Sequence, residues 1–253
     1  MGKIIAIANQ KGGVGKTTTA INLSACLAAA ERRTLLVDID PQSNSTSGLG
    51  VSEANPTIYE VLIADLPAKE VVCPTAIEYL NLMPSAVRLS GAELELVAIP
   101  SRESRLSSAL REISSDYEFI LIDCPPSLGL LSVNALSAAH SVLIPIQTEY
   151  FALEGTVLLR NTIDLITSRI NENLSIEGVL LTLFDSRLNL AKQIAENLTE
   201  HFGDLVYNTR IRRNVTLSEA PSHGKPAILY DISSPGAQDY LALAGEVIFR
   251  NGG

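Results

Sequence analysis

Residues 9–18, Asn-Gln-Lys-Gly-Gly-Val-Gly-Lys-Thr-Thr, carry the residue types that hold phosphate. Gly12, Gly13 and Gly15 let the backbone curl, with Val14 among them, so that successive N–H groups point inward as an anion nest. Lys16 is placed to reach the β- and γ-phosphates of a nucleotide, and the hydroxyl of Thr17, which Thr18 follows, to ligand Mg²⁺. The flanks agree with that chemistry. The apolar run Ile4 to Ala8 predicts a strand leading in, and Thr17 to Ala30 has the spacing of a helix leading out. The N-terminus of that helix adds partial positive charge. Two acidic stretches supply the rest. Asp38-Ile39-Asp40-Pro41-Gln42 follows the short apolar run Thr34 to Val37, and two carboxylates two residues apart at a strand tip can both face the phosphates. The same stretch also reads as a strand-ending turn, and the neighbouring phosphate loop favours the chemical reading. Phe119-Ile120-Leu121-Ile122 ends in Asp123, a buried strand with a carboxylate at its tip, suited to hold Mg²⁺ through water.

The ordinary Walker A spacing requires glycine five residues before Gly15, where this chain has Gln10. A second lysine, Lys11, stands before the glycines instead. Lys11-Gly12-Gly13-Val14-Gly15-Lys16-Thr17 resembles the deviant Walker A loop of the ParA/MinD ATPases. Val37 to Gln42 and Ile122-Asp123-Cys124-Pro125-Pro126 resemble that family's second and third motifs, in the same order. The resemblance implies a homodimer in the ATP state, in which Lys11 crosses to the partner's nucleotide. It implies that Asp40 positions the attacking water, that Asp38 supports the Mg²⁺ shell, and that Lys11 and Lys16 stabilise charge on the transferring phosphoryl group. The polar segment 208–226, ending Leu217-Ser218-Glu219-Ala220-Pro221-Ser222-His223-Gly224-Lys225-Pro226, resembles the chromosomal (Soj) branch. There Asn214 and residue 212 would border the base; Arg212 stands where the family usually has proline. The branch binds double-stranded DNA without sequence preference and acts with a ParB-like protein in chromosome or plasmid segregation. By that resemblance Arg187, Lys192, Arg213 and Lys225 are the candidate DNA contacts, aligned by dimerisation.

Composition alone points away from nucleic acid, because the net charge is −9. The basic residues of the last third are interspersed with Asp185, Glu196, Glu200, Asp204 and Glu219, so dimerisation has to double a weak patch. Cys26, Cys73 and Cys124 lack metal-ligand spacing and read as small buried residues of a reducing compartment; His140, His201 and His223 are equally scattered. No apolar run reaches membrane-span length and the N-terminus lacks signal-peptide character, which predicts a cytoplasmic chain, nucleoid-associated when ATP-bound.

The remaining elements alternate. Strands are predicted at Leu80 to Pro84, Ser141 to Gln147 and Gly178 to Phe184. Helices are predicted at Thr57 to Leu66, Arg88 to Val97, Ser101 to Ser114 with Ser101 as N-cap, Leu153 to Ile170, Leu190 to Phe202, Val215 to Ala220 and Gln238 to Arg250. Arg102, Arg105 and Arg111 read as a solvated face, and Gln42 to Gly50 as a loop beside the site. Strand–helix repetition predicts one α/β domain over 1–253, a mostly parallel sheet wrapped by helices, a P-loop NTPase of the deviant Walker A type. Rivals share the nucleotide chemistry. A positioning ATPase for another cargo would differ only in partner. A MinD-like membrane ATPase needs a basic amphipathic C-terminal helix, which Ile248 to Gly253 does not provide, so no stable membrane anchor is expected. A metabolic ligase on the same fold leaves Lys11 without a role.

Overall fold

The structure is a computed structural model, and it describes residues 2–149 and 163–252. Eight strands form one sheet: β1 Lys3–Ile7, β2 Thr34–Asp38, β3 Cys73–Pro74, β4 Leu80–Met83, β5 Phe119–Asp123, β6 Ser141–Gln147, β7 Ser175–Phe184 and β8 Val206–Arg212. Their order is β3-β4-β2-β5-β1-β6-β7-β8, and every pairing is parallel except the short antiparallel edge β3–β4. The period of two in the apolar runs divides the core between the two faces. Ile4, Ala6, Val37, Ile120 and Ile122 face one layer, and Ile5, Ile7, Leu36, Leu121 and Leu143 the other. A strand buried on both faces must be apolar throughout, which is why these runs do not alternate with polar residues.

On the second face α1 (Lys16–Ala29) packs beside the C-terminal α12 (Pro235–Arg250). The small residues Ala20, Ala25 and Ala28 of α1 are buried there, and Thr19 Oγ1 and Tyr240 Oη share a hydrogen bond of 3.0 Å between the two helices. The first face is covered by α3 (Ile58–Ala64), α4 (Ala68–Val71), α5 (Leu89–Leu96), α6 (Arg105–Ile113) and α7 (Leu130–Ala138), by α8, described over 163–169, and by α9 (Asn189–Phe202). Short helices α2 (Asn44–Gly48), α10 (Thr216–Glu219) and α11 (Ala227–Tyr230) complete the set. Thr57 caps α3 in a capping box with Glu60.

Several sequence expectations shift. Gln42 to Gly50 contains α2, held by hydrogen bonds to buried carboxylates rather than by its own helix propensity. The segment from 208 begins inside β8, an edge strand whose outward polar residues hid its period. Leu130–Ala138 is a helix that the sequence reading left unassigned. Ser101 does not cap: it lies at φ 54°, its carbonyl accepts from Ser104 N at 3.0 Å, and a 3₁₀ turn at Arg102–Ser104 precedes α6. Nor is Arg105 solvated, because its guanidinium bonds the Leu62 carbonyl at 3.0 Å and Asp65 at 3.1 Å. The part of the predicted helix from Leu153 that precedes residue 163, and Tyr150, lie outside the described residues. Among the described residues no helix is long and apolar enough to cross a membrane.

Candidate functional site

The three strands that carry the motifs are neighbours. β1 pairs with β5, and β5 with β2, so Ile7 is in register with Asp123 and Asp123 with Asp38. Parallel pairing brings all three carboxyl ends to one edge of the sheet, where ligands of such folds bind. The loop after β1 curls through Gly13 at φ 75° and Gly15 at φ 88°, left-handed values that favour glycine. Asn9 anchors it from behind: its amide donates to the Pro145 carbonyl at 2.7 Å, and its Oδ1 accepts Lys11 N at 3.0 Å. Thr182 of β7 braces it from the side, donating to the Val14 carbonyl at 2.8 Å. Val14 is therefore a buried prop, and the backbone of its neighbours forms the cradle.

A cleft of about 570 Å³ opens over this loop. It is bordered by Gly12, Gly13, Gly15, Lys16, Thr17 and Thr18 from the loop, and by Asp40, Gln42 and Asn44 from the segment after β2. The far wall is Thr182, Leu183, Ile211, Asn214, Leu217, Pro221 and Tyr240. One end is thus cationic and rich in N–H groups, and the other apolar with an amide. That gradient matches a nucleotide with its phosphates on the loop and its base against the wall.

Lys16 Nζ is buried and donates to the Lys11 carbonyl at 3.2 Å. Burial lowers its pKa, and Asp123, Cys124 and Asp40 oppose that shift. Asp123 is buried; Oδ2 accepts from Ser45 Oγ at 2.7 Å, while Oδ1 has no hydrogen-bond partner among the described residues. Burial raises its pKa against the Ser45 and Thr17 hydroxyls. A buried carboxylate oxygen left without a donor, beside the Thr17 hydroxyl, is the donor set a hydrated Mg²⁺ takes. Among the described residues no cluster of three His, Cys, Asp or Glu could hold a metal ion by itself. Mg²⁺ held by few protein groups and by substrate phosphates needs none.

Asp38 is used differently. Oδ1 accepts Asp40 N at 3.1 Å, and Oδ2 accepts both Thr46 N at 2.8 Å and Thr46 Oγ1 at 2.7 Å. Burial first, then the Asp123 charge beside it, hold its carboxyl well above the ordinary carboxylate range, against the bonds from Thr46 and Asp40. Oδ1 accepts a single hydrogen bond and Oδ2 two, so Asp38 is held chiefly through Oδ2. Asp40 lines the cleft; its Oδ1 accepts Gln42 N at 2.9 Å, and Oδ2 takes no hydrogen bond from the described residues.

Asn214 borders the cleft with Oδ1 buried and unpartnered. An acceptor in that position suits the exocyclic amine of adenine. The Arg212 guanidinium turns to Asp239 of α12, with contacts of 2.7–3.1 Å, and Arg212 N also donates to Asp239 Oδ2 at 2.9 Å. Arg212 is not among the residues lining the cleft. Lys11 points outward and pairs with Glu149 at 3.0 Å.

The basic residues divide. Arg187 forks onto Asp185 at 2.9 and 2.6 Å, and these bonds hold the Asp185 carboxyl down at about 2. Arg210 stacks on the Phe184 ring at 4.7 Å and Arg213 N donates to the Phe184 carbonyl, so Arg187, Arg210 and Arg213 gather at the ends of β7 and β8. Lys192 is exposed on the first turns of α9. Lys225 sits elsewhere, in a separate cavity with Pro74 of β3 and His223.

The sequence reading missed Thr182, Tyr240, Ser45, Thr46 and Ser85. Thr182 is the one polar residue of an otherwise apolar strand end, a signal that was legible. Tyr240 sits on the apolar face of a predicted helix and gave none.

Residues 2–176 match the AAA domain family. The chain is 56% identical over 253 residues to the chromosome partitioning protein ParA of Myxococcus xanthus (strain DK1622), covering 99% of this chain and 89% of that protein. It is 56% identical over 249 residues to the sporulation initiation inhibitor protein Soj of Bacillus subtilis (strain 168), covering 98% of each. Among solved structures, cobyrinic acid a,c-diamide synthase from Mycobacterium smegmatis with bound ADP and magnesium superposes with a TM-score of 0.85 at 34% identity, over 98% of this chain and 94% of that one. With the deviant loop, Asp40 and Asp123 on one sheet edge, and full-length identity of 56% to these relatives, the chain belongs to the ParA/Soj family of chromosome-partitioning ATPases.

Proposed function

We propose that the chain hydrolyses ATP with Mg²⁺, closes into a face-to-face dimer in its ATP state, and in that state holds double-stranded DNA without sequence preference. Its work is chromosome or plasmid segregation with a ParB-like partner that stimulates a weak basal ATPase. One observation carries the nucleotide half. A glycine cradle, the buried Lys16 with Asp123 beside it, and the cleft-lining Asp40 and Asn214 come together, and Asp123 Oδ1 and Asn214 Oδ1 are buried without a hydrogen-bond donor among the described residues. The M. smegmatis structure with ADP and magnesium supports the same ligand pair.

Asp40 offers Oδ2 to the attacking water and turns the water oxygen toward the γ-phosphorus. As that bond forms, the bond from the γ-phosphorus to the oxygen bridging the β-phosphorus breaks, that oxygen leaves with its electron pair on ADP, and the water's oxygen stays on inorganic phosphate, its protons shared between the phosphate and solvent. Lys16 exchanges its hold on the Lys11 carbonyl for phosphate oxygens, and Lys11 exchanges Glu149 for the partner's nucleotide. Thr17 and Asp123 would hold Mg²⁺, which supplies charge neutralisation at the β- and γ-phosphates. A Cβ at Gly12 meets no heavy atom of the described residues within 4 Å, which leaves room for the dimer contact proposed there.

The DNA half is carried by Arg187, Arg210 and Arg213 at one sheet end. It is tested by binding to random-sequence duplex at low and moderate salt with ATP, ADP or no nucleotide, using Asp40→Ala to hold the ATP state. Binding should require ATP, weaken with salt and fall with Arg187→Ala. No binding in any state, with the ATP dimer verified by light scattering, refutes the DNA reading.

A further inference from the structure

The hydrogen bonds around Asp40 close on themselves. Asp40 N donates to Asp38 Oδ1 at 3.1 Å, and Asp38 Oδ2 accepts Thr46 Oγ1 at 2.7 Å. Thr46 Oγ1 accepts in turn from Ser85 N at 2.9 Å, and Ser85 Oγ donates to the Asp40 carbonyl at 2.7 Å. The ring joins the tip of β2, the loop after it, α2 and the loop after β4. All four residues are buried, so water does not compete for these groups.

The ring fixes Asp40 by both backbone polar groups. With N held by Asp38, and O by Ser85 Oγ together with Ser43 N at 2.9 Å, the peptide planes on either side of Asp40 are set, and with them the direction of its Cα–Cβ bond. The contact from Gln42 N to Oδ1 then sets the carboxylate of this cleft-lining residue, and Oδ2 takes no hydrogen bond from the described residues. Thr46 needs a hydroxyl at the centre of this arrangement, because one oxygen must donate to a carboxylate and accept from an N–H at once. A methyl group of the same shape does neither.

We infer that Thr46 and Ser85 are positioning residues for hydrolysis, aiming the Asp40 carboxylate at the attacking water through the ring. The inference rests on the proposed role of Asp40. A purely structural ring would instead loosen the whole α2 region, and nucleotide binding with it.

The test measures ATP hydrolysis in single-turnover and steady-state form, and ATP affinity by calorimetry, on the full chain. The proteins are wild type, Thr46→Val, Thr46→Ser, Ser85→Ala, Asp40→Ala and the pair Asp40→Ala with Thr46→Val. Thr46→Val and Ser85→Ala should lower kcat roughly 10- to 100-fold, the scale of a small misplacement of a reacting group. KM and ATP affinity should stay within about twofold, and Thr46→Ser should recover most of the rate. Thr46→Val should cost nothing further once Asp40 is Ala. Unchanged kcat in both single variants overturns the inference, as does a loss that persists in full on the Asp40→Ala background or one matched by weakened ATP binding. Ser85→Ala only removes a hydroxyl, so it decides the matter if thermal unfolding shows Thr46→Val to be misfolded. Wild-type turnover by Asp40→Ala would remove the Asp40 reading and this inference together. An inactive Asp40→Ala beside fully active Thr46→Val and Ser85→Ala would leave that reading standing and overturn this one alone.

Discussion

Removing the carboxylate that holds Lys11 should make the ATP dimer tighter. In the single chain, Lys11 Nζ sits 3.0 Å from Glu149 Oε2, with side chains 37% and 52% exposed, and Gln147 Nε2 steadies the other oxygen of Glu149. If Lys11 serves the partner's nucleotide, this pair must open before the dimer closes, once in each protomer. An exposed pair of this kind is worth about 0.2–1 kcal/mol. Two of them oppose closure by about 0.4–2 kcal/mol, which is roughly a 2- to 30-fold change in the dimer dissociation constant. Glu149→Gln keeps the size and removes the charge. Sedimentation equilibrium with ATP, on the Asp40→Ala background so that hydrolysis does not drain the state, reads that constant directly. The gain should shrink as salt rises, because the pair is solvent-screened. Gly12→Val, whose Cβ meets no heavy atom of the described residues within 4 Å and whose added bulk should block a facing copy, is the monomeric reference. Equal or weaker dimerisation of Glu149→Gln at low salt refutes the reasoning, and weaker would mean that Glu149 acts inside the dimer.

Gly178→Ala places a Cβ 2.5 Å from the buried Tyr207 ring and 2.9 Å from the Leu205 carbonyl, and should cost about 1–3 kcal/mol by denaturant unfolding with the nucleotide site intact. His140 Nδ1 accepts Ile4 N at 3.0 Å, a bond only the neutral ring can make. Burial first, then Lys3 and the N-terminal charge, hold its pKa below the ordinary value near 6.5. The folded state therefore binds fewer protons than the unfolded one in that window. Its contribution is full above pH 6.5 and is lost as pH falls through the lowered pKa. Stability of His140→Gln, followed from pH 7.5 down to about 5, should fall less than wild type; an identical slope would exclude His140 as the source.

The nucleotide loop and both acidic strand tips were legible because each pairs an apolar run, whose burial is forced, with residues of restricted chemistry. Gly13 and Gly15 lie at positive φ as an anion nest demands, and Asp38 and Asp123 end strands as the runs before them require. The walls of the cleft were less legible. Ile211, Leu217 and Tyr240 are apolar residues doing what apolar residues do in any core, and only the fold shows that their outer surface borders a ligand. β8 was hidden for a related reason: as an edge strand it keeps only Tyr207 and Ile211 fully buried, too few to reveal a period. Arg212 was legible as a departure from the family. Its engagement by Asp239, in a bidentate contact to the first turns of α12, depends on a side chain 27 residues away.

The same physics separates two carboxylates that the sequence presents as equivalents. Asp38 and Asp123 end adjacent strands and stand opposite one another in the β2–β5 ladder. Two buried negative charges side by side are costly unless donors satisfy them. Consecutive residues of α2 supply those donors, Ser45 to Asp123 at 2.7 Å and Thr46 to Asp38 at 2.7 Å. The supply is unequal. Asp38 takes three hydrogen bonds on its two oxygens, whereas Asp123 Oδ1, beside Lys16 and Thr17, accepts none from the described residues. An open, buried acceptor suits a cation, and one that accepts from two backbone N–H groups, as Asp38 does from Asp40 and Thr46, holds backbone in place. The five-residue helix α2 thus ties Asp123, through Ser45, to Asp38, through Thr46, and the Asp38 carboxylate accepts Asp40 N. Both contacts come from consecutive residues of the segment read from sequence as a loop, so a change that shifts α2 should move the donors of both carboxylates together.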